Sequence, residues 1–338
     1  MPKLIEEPPA SATQTRAQPT SATNELMSGR TIGLILSAAI LFTLLTLESR
    51  TFLSAYTMSI LSRQIGLFTL IALAQAFCLI VGGMNLSVGS IGSLSAVALG
   101  ICMQYPASTN PWVAVPIAIL IGSAAGLING LLIVWLKIDS FIVTLSMMFV
   151  FDGLATGISH GYPYSLPPWF TDVGQKNLLG VPYIFWIVAI VLTGIAYMFR
   201  NTVFGRRLLA TGGNADAARL SGINTNKMIV WANLLSGLFA GLASVLACAR
   251  NGNAAADTGA DWLLTSFAVA IIGGTGLQGG SVSALGLLMG GTIFMLIKYG
   301  LVVVKIDDNY SKTFLGTLIL LAIIVDRIRE VAKGGKRA

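Results

Sequence analysis

The sequence predicts an all-α integral membrane protein of about ten transmembrane helices, some of them short or broken, with an internal repeat. Three observations carry that expectation. Of the 338 residues, 55% are hydrophobic and only 10% charged, too few polar side chains to coat a soluble globule, where about a quarter are charged. The hydrophobic residues form continuous runs of about 20, the length that crosses a bilayer as helix, and not the alternating ten-residue segments of a membrane barrel. The third is that Gly82-Gly83-Met84-Asn85-Leu86-Ser87-Val88-Gly89-Ser90 returns, altered, as Gly273-Gly274-Thr275-Gly276-Leu277-Gln278-Gly279-Gly280-Ser281. Both copies read G-G-x-x-L-x-x-G-S, and both interrupt apolar runs.

Residues 1–30 carry Pro2, Pro8, Pro9 and Pro19 among Ser, Thr, Ala and Gln. With no hydrophobic pattern they cannot offset the entropy of ordering, so a flexible cytoplasmic tail is expected. The run 31–47 lacks a small-x-small cleavage site and is followed by many more, which makes it a first, uncleaved span. Further apolar runs predict helices over 65–82, 86–104, 112–135, 140–159, 181–199, 227–249, 263–276, 283–303 and 312–326. The segment 263–276 is too short to cross fully, and it ends, like 65–82, in the repeated glycines. Residues 327–338 form a basic tail.

Topology accounts for the net charge of +7. An N-terminus inside the cell puts fourteen of the 21 Lys and Arg in inner segments and six in outer ones, with Lys298 in a helix, which favours both termini in the cytoplasm. With no long basic arm, nucleic-acid binding is not expected. Trp112, Tyr162, Tyr164, Trp169, Tyr183 and Trp262 fall in outer segments, as an interfacial aromatic belt does; a sugar-stacking role for one of them is the alternative. Cys78, Cys102 and Cys248 lie in apolar runs without metal-ligand spacing, and His160 beside Gly161 reads as a solvated loop residue.

Glycine pairs interrupting hydrophobic segments in two halves of a chain point to a transporter's substrate path, because irregular backbone at membrane depth survives only where it lines a cavity or is buried in protein. The candidate path residues are Gly82, Gly83, Asn85, Ser87, Gly89 and Ser90 in the first copy and Gly273, Gly274, Thr275, Gln278, Gly279 and Gly280 in the second. Asp152, a carboxylate within a span, joins them as a functional candidate with Arg63 or Lys298 as partner, or it meets water near the outer interface. Gly122, Gly126 and Gly130, at small-x-x-x-small spacing, read as helix-packing residues.

The inner loop 200–227 contains Thr211-Gly212-Gly213-Asn214-Ala215-Asp216-Ala217-Ala218-Arg219-Leu220-Ser221-Gly222. Asn214 is a good N-cap, Asp216 suits a first turn, and Gly222 is placed to end a helix in the left-handed region. A two-turn cytoplasmic helix follows. It is either a docking element for a cytoplasmic partner or a structured loop.

G-G-M-N-L-S-V-G-S-I at 82–91, G-N-A-D-A-A-R-L-S-G-I at 213–223 and I-G-G-T-G-L-Q-G-G at 272–280 together resemble the ribose-type sugar permeases of bacterial ATP-binding-cassette importers. The resemblance extends over about 52–326 and implies a permease domain over 31–326, in the bacterial inner membrane. It also implies a second permease subunit, a cytoplasmic ATPase with two nucleotide-binding domains and a periplasmic sugar-binding protein. Gly213, Asn214, Asp216, Ala217, Ala218, Arg219 and Gly222 would form the coupling helix that meets the ATPase. Two departures stand out: Asn85 replaces the motif's usual aspartate, and Asp152 lies where an arginine is common. The cargo implied is a monosaccharide or related polyol, with ATP hydrolysed on a partner, since no G-x-x-x-x-G-K-[ST] loop is present. No catalytic constellation, metal cluster or cofactor motif is visible either. The alternative is an ion-coupled secondary transporter of a small polar solute, using Asp152 and Lys298.

Overall fold

A computed structural model describes residues 29–104, 110–276 and 278–306, with isolated positions between 310 and 320. Its elements are α1 (Gly29–Glu48), α2 (Ala55–Ile80), α3 (Val88–Gln104), α4 (Pro111–Leu136), α5 (Ser140–Ser159), β1 (Tyr164–Ser165), α6 (Pro168–Gln175), β2 (Asn177–Leu178), β3 (Val181–Pro182), α7 (Tyr183–Asn201), α8 (Val203–Gly213), α9 (Ala215–Leu220), α10 (Thr225–Asn251), β4 (Asn253–Ala254), α11 (Trp262–Ile272) and α12 (Ala284–Val303). Among the described residues seven helices (α1, α2, α4, α5, α7, α10 and α12) are long and apolar enough to cross a membrane, and α3 and α11 are shorter apolar helices. The protein is an all-α membrane protein. Residues 1–28 of the expected N-terminal tail, the tail 327–338 and nearly all of the helix expected over 312–326 lie outside the described residues.

Side-chain caps set the helix starts. Ser54, Asn110, Asp139, Asn224 and Ser283 each accept a first-turn N–H, the groups a helix leaves without an internal partner. Ser54 places the start of α2 at Ala55, well before residue 65, where the apolar run begins. Polar residues in its first turns hide that start in the sequence, and they are used as anchors. Ser59 Oγ donates to Asn177 Oδ1 at 3.1 Å, and the Arg63 guanidinium donates to the same oxygen at 3.0 Å and to the Gln175 carbonyl. Asn177 opens a hairpin in which β2 pairs with β3 around Leu179 and Gly180, both with positive φ, the pattern of a two-residue turn.

The long helix α2 is the hub: 78% of its most apolar window is buried, against 17% for α1 at the edge. It packs on α7, α10, α11 and α12, and Phe77 stacks on Phe239 of α10 with ring centroids 5.4 Å apart. On the other side of α10 the expected glycine stripe brings α4 into backbone contact. A Cβ on Gly122 would lie 2.6 Å from the Gly237 carbonyl oxygen, one on Gly130 2.9 Å from Val230 Cα, and one on Gly126 would overlap the Asn233 carbonyl. These side-chain-free contacts let two helices meet with little rotamer entropy lost. Gly126→Leu is expected to force α4 from α10 and cost about 3 kcal/mol, read as a lower unfolding midpoint of the purified protein in detergent. Trp262 does not join an interfacial belt. It is buried, and its ring fills the space where a side chain at Gly92 would be.

Candidate translocation site and short capped helix

Between α2 and α3 the chain leaves helical geometry at residues 82–87, and the N–H of each of these residues has a partner. Gly82 N donates to Leu79 O and Gly83 N to Cys78 O, both at 2.9 Å. With Gly82 at φ +80°, this is a Schellman cap. Met84 N donates to Ser140 Oγ at 3.0 Å and Leu86 N to Thr144 Oγ1 at 3.1 Å, so the first turns of α5 hold the segment. With the Gln75 amide oriented by its neighbours, Oε1 accepts from Asn85 N at 3.3 Å and the amide nitrogen donates to Asn85 O at 2.7 Å. Ser87 N donates to Asn85 Oδ1 at 3.0 Å. Unpaired amides at membrane depth cost several kcal/mol each, so this full pairing is what permits the break.

The Asn85 side chain is the hub of a buried cluster. Its Oδ1 accepts also from Ser87 Oγ at 2.7 Å, its Nδ2 donates to Ser236 Oγ at 2.9 Å, and Asn129 Nδ2 donates to Ser87 Oγ at 2.7 Å. The cluster joins α4, α10 and the break. Asn85 and Ser87 are fully buried, and Ser90 and Thr275 nearly so. These candidates stand within the wall in this conformation.

The second glycine copy ends α11 with the same type of cap, one residue later in the motif. Gly274 N donates to Ile271 O and Thr275 N to Ala270 O, with Gly274 at φ +92°. A separate break precedes α11. From Ala255 to Asp261 the chain is not helical; Gly259 N donates to Ser93 Oγ of α3 at 3.1 Å, and Ala255 N donates to Thr258 Oγ1 at 3.3 Å. Here Gly259 crosses Gly89 so closely that a Cβ on either would overlap the other's backbone.

This second break lines a cleft. About 500 Å³ in volume, it is bordered by Asp152 and Thr156 of α5, Asn253 of β4, and Ala255, Asp257 and Ala260 of the break. Irregular backbone at membrane depth is tolerated where it is buried in protein or lines a water-filled cavity, which makes this cleft the candidate for a solute path. Asp152 is exposed to the cleft and has no ion-pair partner among the described residues. Arg63 is bound to the β2–β3 hairpin, and Lys298 lies 5.9 Å from the centroid of the Phe68 ring.

Beyond α8 lies the predicted short helix, α9. Asn214 Oδ1 accepts from Ala217 N at 3.0 Å, and Asp216 sits in the first turn, 3.5 Å from Arg219 Nη1. Gly222, at φ +78°, closes the far end: its N donates to Arg219 O, and Ile223 N donates to Ala218 O. Ala218 faces inward and is buried, whereas Ala217 and Leu220 face out, with Leu220 91% exposed. A groove of about 780 Å³ runs beside α9, lined by Ile133, Lys137, Ile138, Asp139, Arg219 and Ile229 among others.

Residues 57–323 match the family described as "branched-chain amino acid transport system / permease component". The chain belongs to this permease family. Among its relatives, the ribose import permease protein RbsC of Escherichia coli strain K12 is 30% identical over 308 residues, covering 88% of this chain and 93% of the relative. The L-arabinose ABC transporter permease protein AraH of Azospirillum brasilense is 32% identical, with 88% of each chain covered. The autoinducer 2 import system permease protein LsrC of Photorhabdus luminescens is 28% identical, covering 89% of this chain and 91% of the relative. No solved structure matches the chain significantly. The permease is a multi-pass membrane transport subunit and not an enzyme.

Of the path candidates read from the permease sequence, Asp152 alone lines the cleft. Asp257 and Asn253 share it but stand outside any motif, and only the chain's return from β4 to α11 brings them opposite α5. Gln75 and Asn129 likewise give no local signal, since each is one polar residue in an apolar run. Leu220 had a signal available: it is the one large apolar side chain in a six-residue helix too short to span.

Proposed function

We propose that this permease forms the transmembrane pathway for a monosaccharide or related polyol in an ATP-binding-cassette importer, with ATP hydrolysed on a partner subunit. The cleft between α5 and the second break carries the proposal. Its polar groups are Asp152, Asp257, Asn253 and Thr156, set among Pro163, Ala255, Ala256 and Ala260. Carboxylates accept hydrogen bonds from hydroxyls strongly, whereas two of them repel a substrate carboxylate. A branched-chain amino acid would need a cation for its carboxylate, and the cleft lining has none, holding two carboxylates instead. The names of the ribose and arabinose relatives agree with this choice of cargo.

In this reading the pathway has two permease subunits, and α9 docks on a cytoplasmic ATPase with two nucleotide-binding domains. A periplasmic sugar-binding protein delivers the cargo. The protein lies in the bacterial inner membrane with both termini in the cytoplasm. About ten membrane segments result from the seven long helices, α3, α11 and the run 312–326, and the glycine repeat is a twice-used device for ending a helix. Gly82, Gly83, Asn85, Ser87 and Ser90 hold the first break, Gly89 admits the crossing of the second, Gly273, Gly274, Thr275 and Gln278 form the turn after α11, and Asp152 faces the cargo. An ion-coupled mechanism lacks its central feature, because Asp152 and Lys298 are not brought together.

The test is reconstitution. Purified gently from its own membranes, the permease should carry a soluble ATPase with it and, in liposomes with the sugar-binding protein on the opposite side, take up labelled pentose or hexose only with ATP on the ATPase side. Uptake abolished by collapsing an ion gradient at constant ATP would overturn the reading. Within the cleft, Asp152→Asn and Asp257→Asn are each expected to lower uptake about tenfold at limiting sugar, the value of a lost charged hydrogen bond, while ATPase association stays unchanged.

A further inference from the structure

The residues just before α9 are built into both glycine motifs. The carboxyl end of α8 is Gly212-Gly213. A Cβ on Gly212 would overlap the carbonyl of Ile80, the last residue of α2, and lie 2.7 Å from Gly280 N. Gly280 N donates to that same Ile80 carbonyl at 2.9 Å. A Cβ on Gly279 would lie 2.9 Å from Gly212 O, 2.9 Å from Gly82 N and 3.0 Å from Ile80 O, and one on Gly280 would lie 2.7 Å from Gly213 Cα. Gly82, Gly279 and Gly280 have φ of +80°, +85° and +74°, a region that side-chain-bearing residues rarely enter. Three backbones thus meet with no side chain between them.

We propose that this junction transmits the displacement of the cytoplasmic helix to both glycine segments, the end of α8, Ile80–Gly82 and Gly279–Gly280 moving together as one rigid unit. The proposal rests on the importer reading. Gly279 and Gly280 then serve coupling rather than the sugar path, and Gly212, which lies outside the repeat, serves with them.

Rigidity follows from the contact chemistry. Side chains between helices can change rotamer and absorb a small shift, but backbones at van der Waals contact and joined by a hydrogen bond cannot. Gly213 adjoins Asn214, whose side chain caps α9, so no flexible linker lies between the docking helix and the junction. From Ile80 a push enters α2 and the first break, and from Gly280 it enters the connection between α11 and α12. Such a unit passes on a binding event as a shift between two packed arrangements.

Distances between spin labels test this in the assembled transporter in lipid nanodiscs. Labels go on Gly213→Cys and Ser281→Cys, together and each with a label on Leu179→Cys in the β2–β3 turn, in a background without the native cysteines. Between nucleotide-free and ATP-analogue-bound states, the 213–281 distance should stay fixed while 213–179 and 281–179 both change. A changing 213–281 distance, movement of 213 alone, or no movement of either would overturn the proposal. As a second measure, Gly212→Ala should lower ATP-driven uptake about tenfold with the ATPase still bound, an ordinary coupling free energy. Gly194→Ala in α7, outside the junction and with open space around its Cβ, should retain uptake. Wild-type uptake by Gly212→Ala would also overturn it, and if that variant does not assemble the label distances decide. Absence of ATP-driven uptake in the unmodified protein is a separate result, against the importer reading itself.

Discussion

Asn85→Leu is expected to destabilise the permease by about 3 kcal/mol, through buried polar groups left without partners. The leucine leaves the Ser87 amide, the Ser87 hydroxyl and Ser236 Oγ without the bonds that Asn85 now makes to them. Ser87 also receives Asn129 Nδ2, so the damage spreads from the break to α4 and α10. The measurement is the thermal unfolding midpoint of the purified protein in detergent, beside the yield of folded protein in the membrane. Asn85→Asp is the informative companion. A protonated aspartate has nearly the shape of asparagine, can accept from Ser87 and can donate to Ser236, so the neutral acid fits without a counter-charge. That variant should keep the wild-type midpoint to within about 1 kcal/mol. A wild-type midpoint in Asn85→Leu, with uptake alone lost, would instead place Asn85 in contact with the sugar.

Two kinds of information separate what the sequence predicts well from what it does not. Local patterns predict well. Asn214, Asp216 and Gly222 define α9 almost to the residue, because a cap, a first-turn acid and a left-handed glycine each act within one turn of chain. Gly122, Gly126 and Gly130 announce a helix contact in the same way, although their partners Gly237 and Val230 do not show. Non-local pairings stay hidden. The start of α2 is obscured because Ser59 and Arg63 read as non-membrane residues until Asn177 is brought to them by the β2–β3 hairpin. The glycine motifs mark irregular backbone correctly, yet the irregular segment that faces a cleft is 255–260, which has no run of glycines. It needs none: Ser93 and Thr258 satisfy amides there, and only the single crossing of Gly89 and Gly259 demands the absence of a side chain. Glycine pairs therefore report where backbones touch, and polar groups on opposing elements report the cleft that the proposed pathway uses.

Leu220→Asp is expected to weaken binding of the ATPase about 30-fold, about 2 kcal/mol, the transfer free energy of one leucine side chain. In α9, Ala217 and Leu220 are three residues apart and share the outward face, while Ala218 points into the protein. Arg219 is held back against the bundle by Thr225 Oγ1 at 2.9 Å, which leaves Leu220 as the one large apolar side chain standing out from a short capped helix. Single exposed leucines are common on protein surfaces, but this one lies at the end of a helix fixed at both termini, next to a groove with apolar walls at Ile133, Ile138 and Ile229. Ala217→Glu should act differently: with little area to lose, it places a charged side chain where a close neighbour would dock, so uptake falls while the permease stays folded. Ala218→Glu is the contrast, a buried charge in a six-residue helix, and should unfold α9 and lower stability. Titration of the detergent-solubilised variants with purified ATPase separates the three. Wild-type affinity in both Leu220→Asp and Ala217→Glu would show that the ATPase binds elsewhere, and α9 would then be a structural loop between α8 and α10.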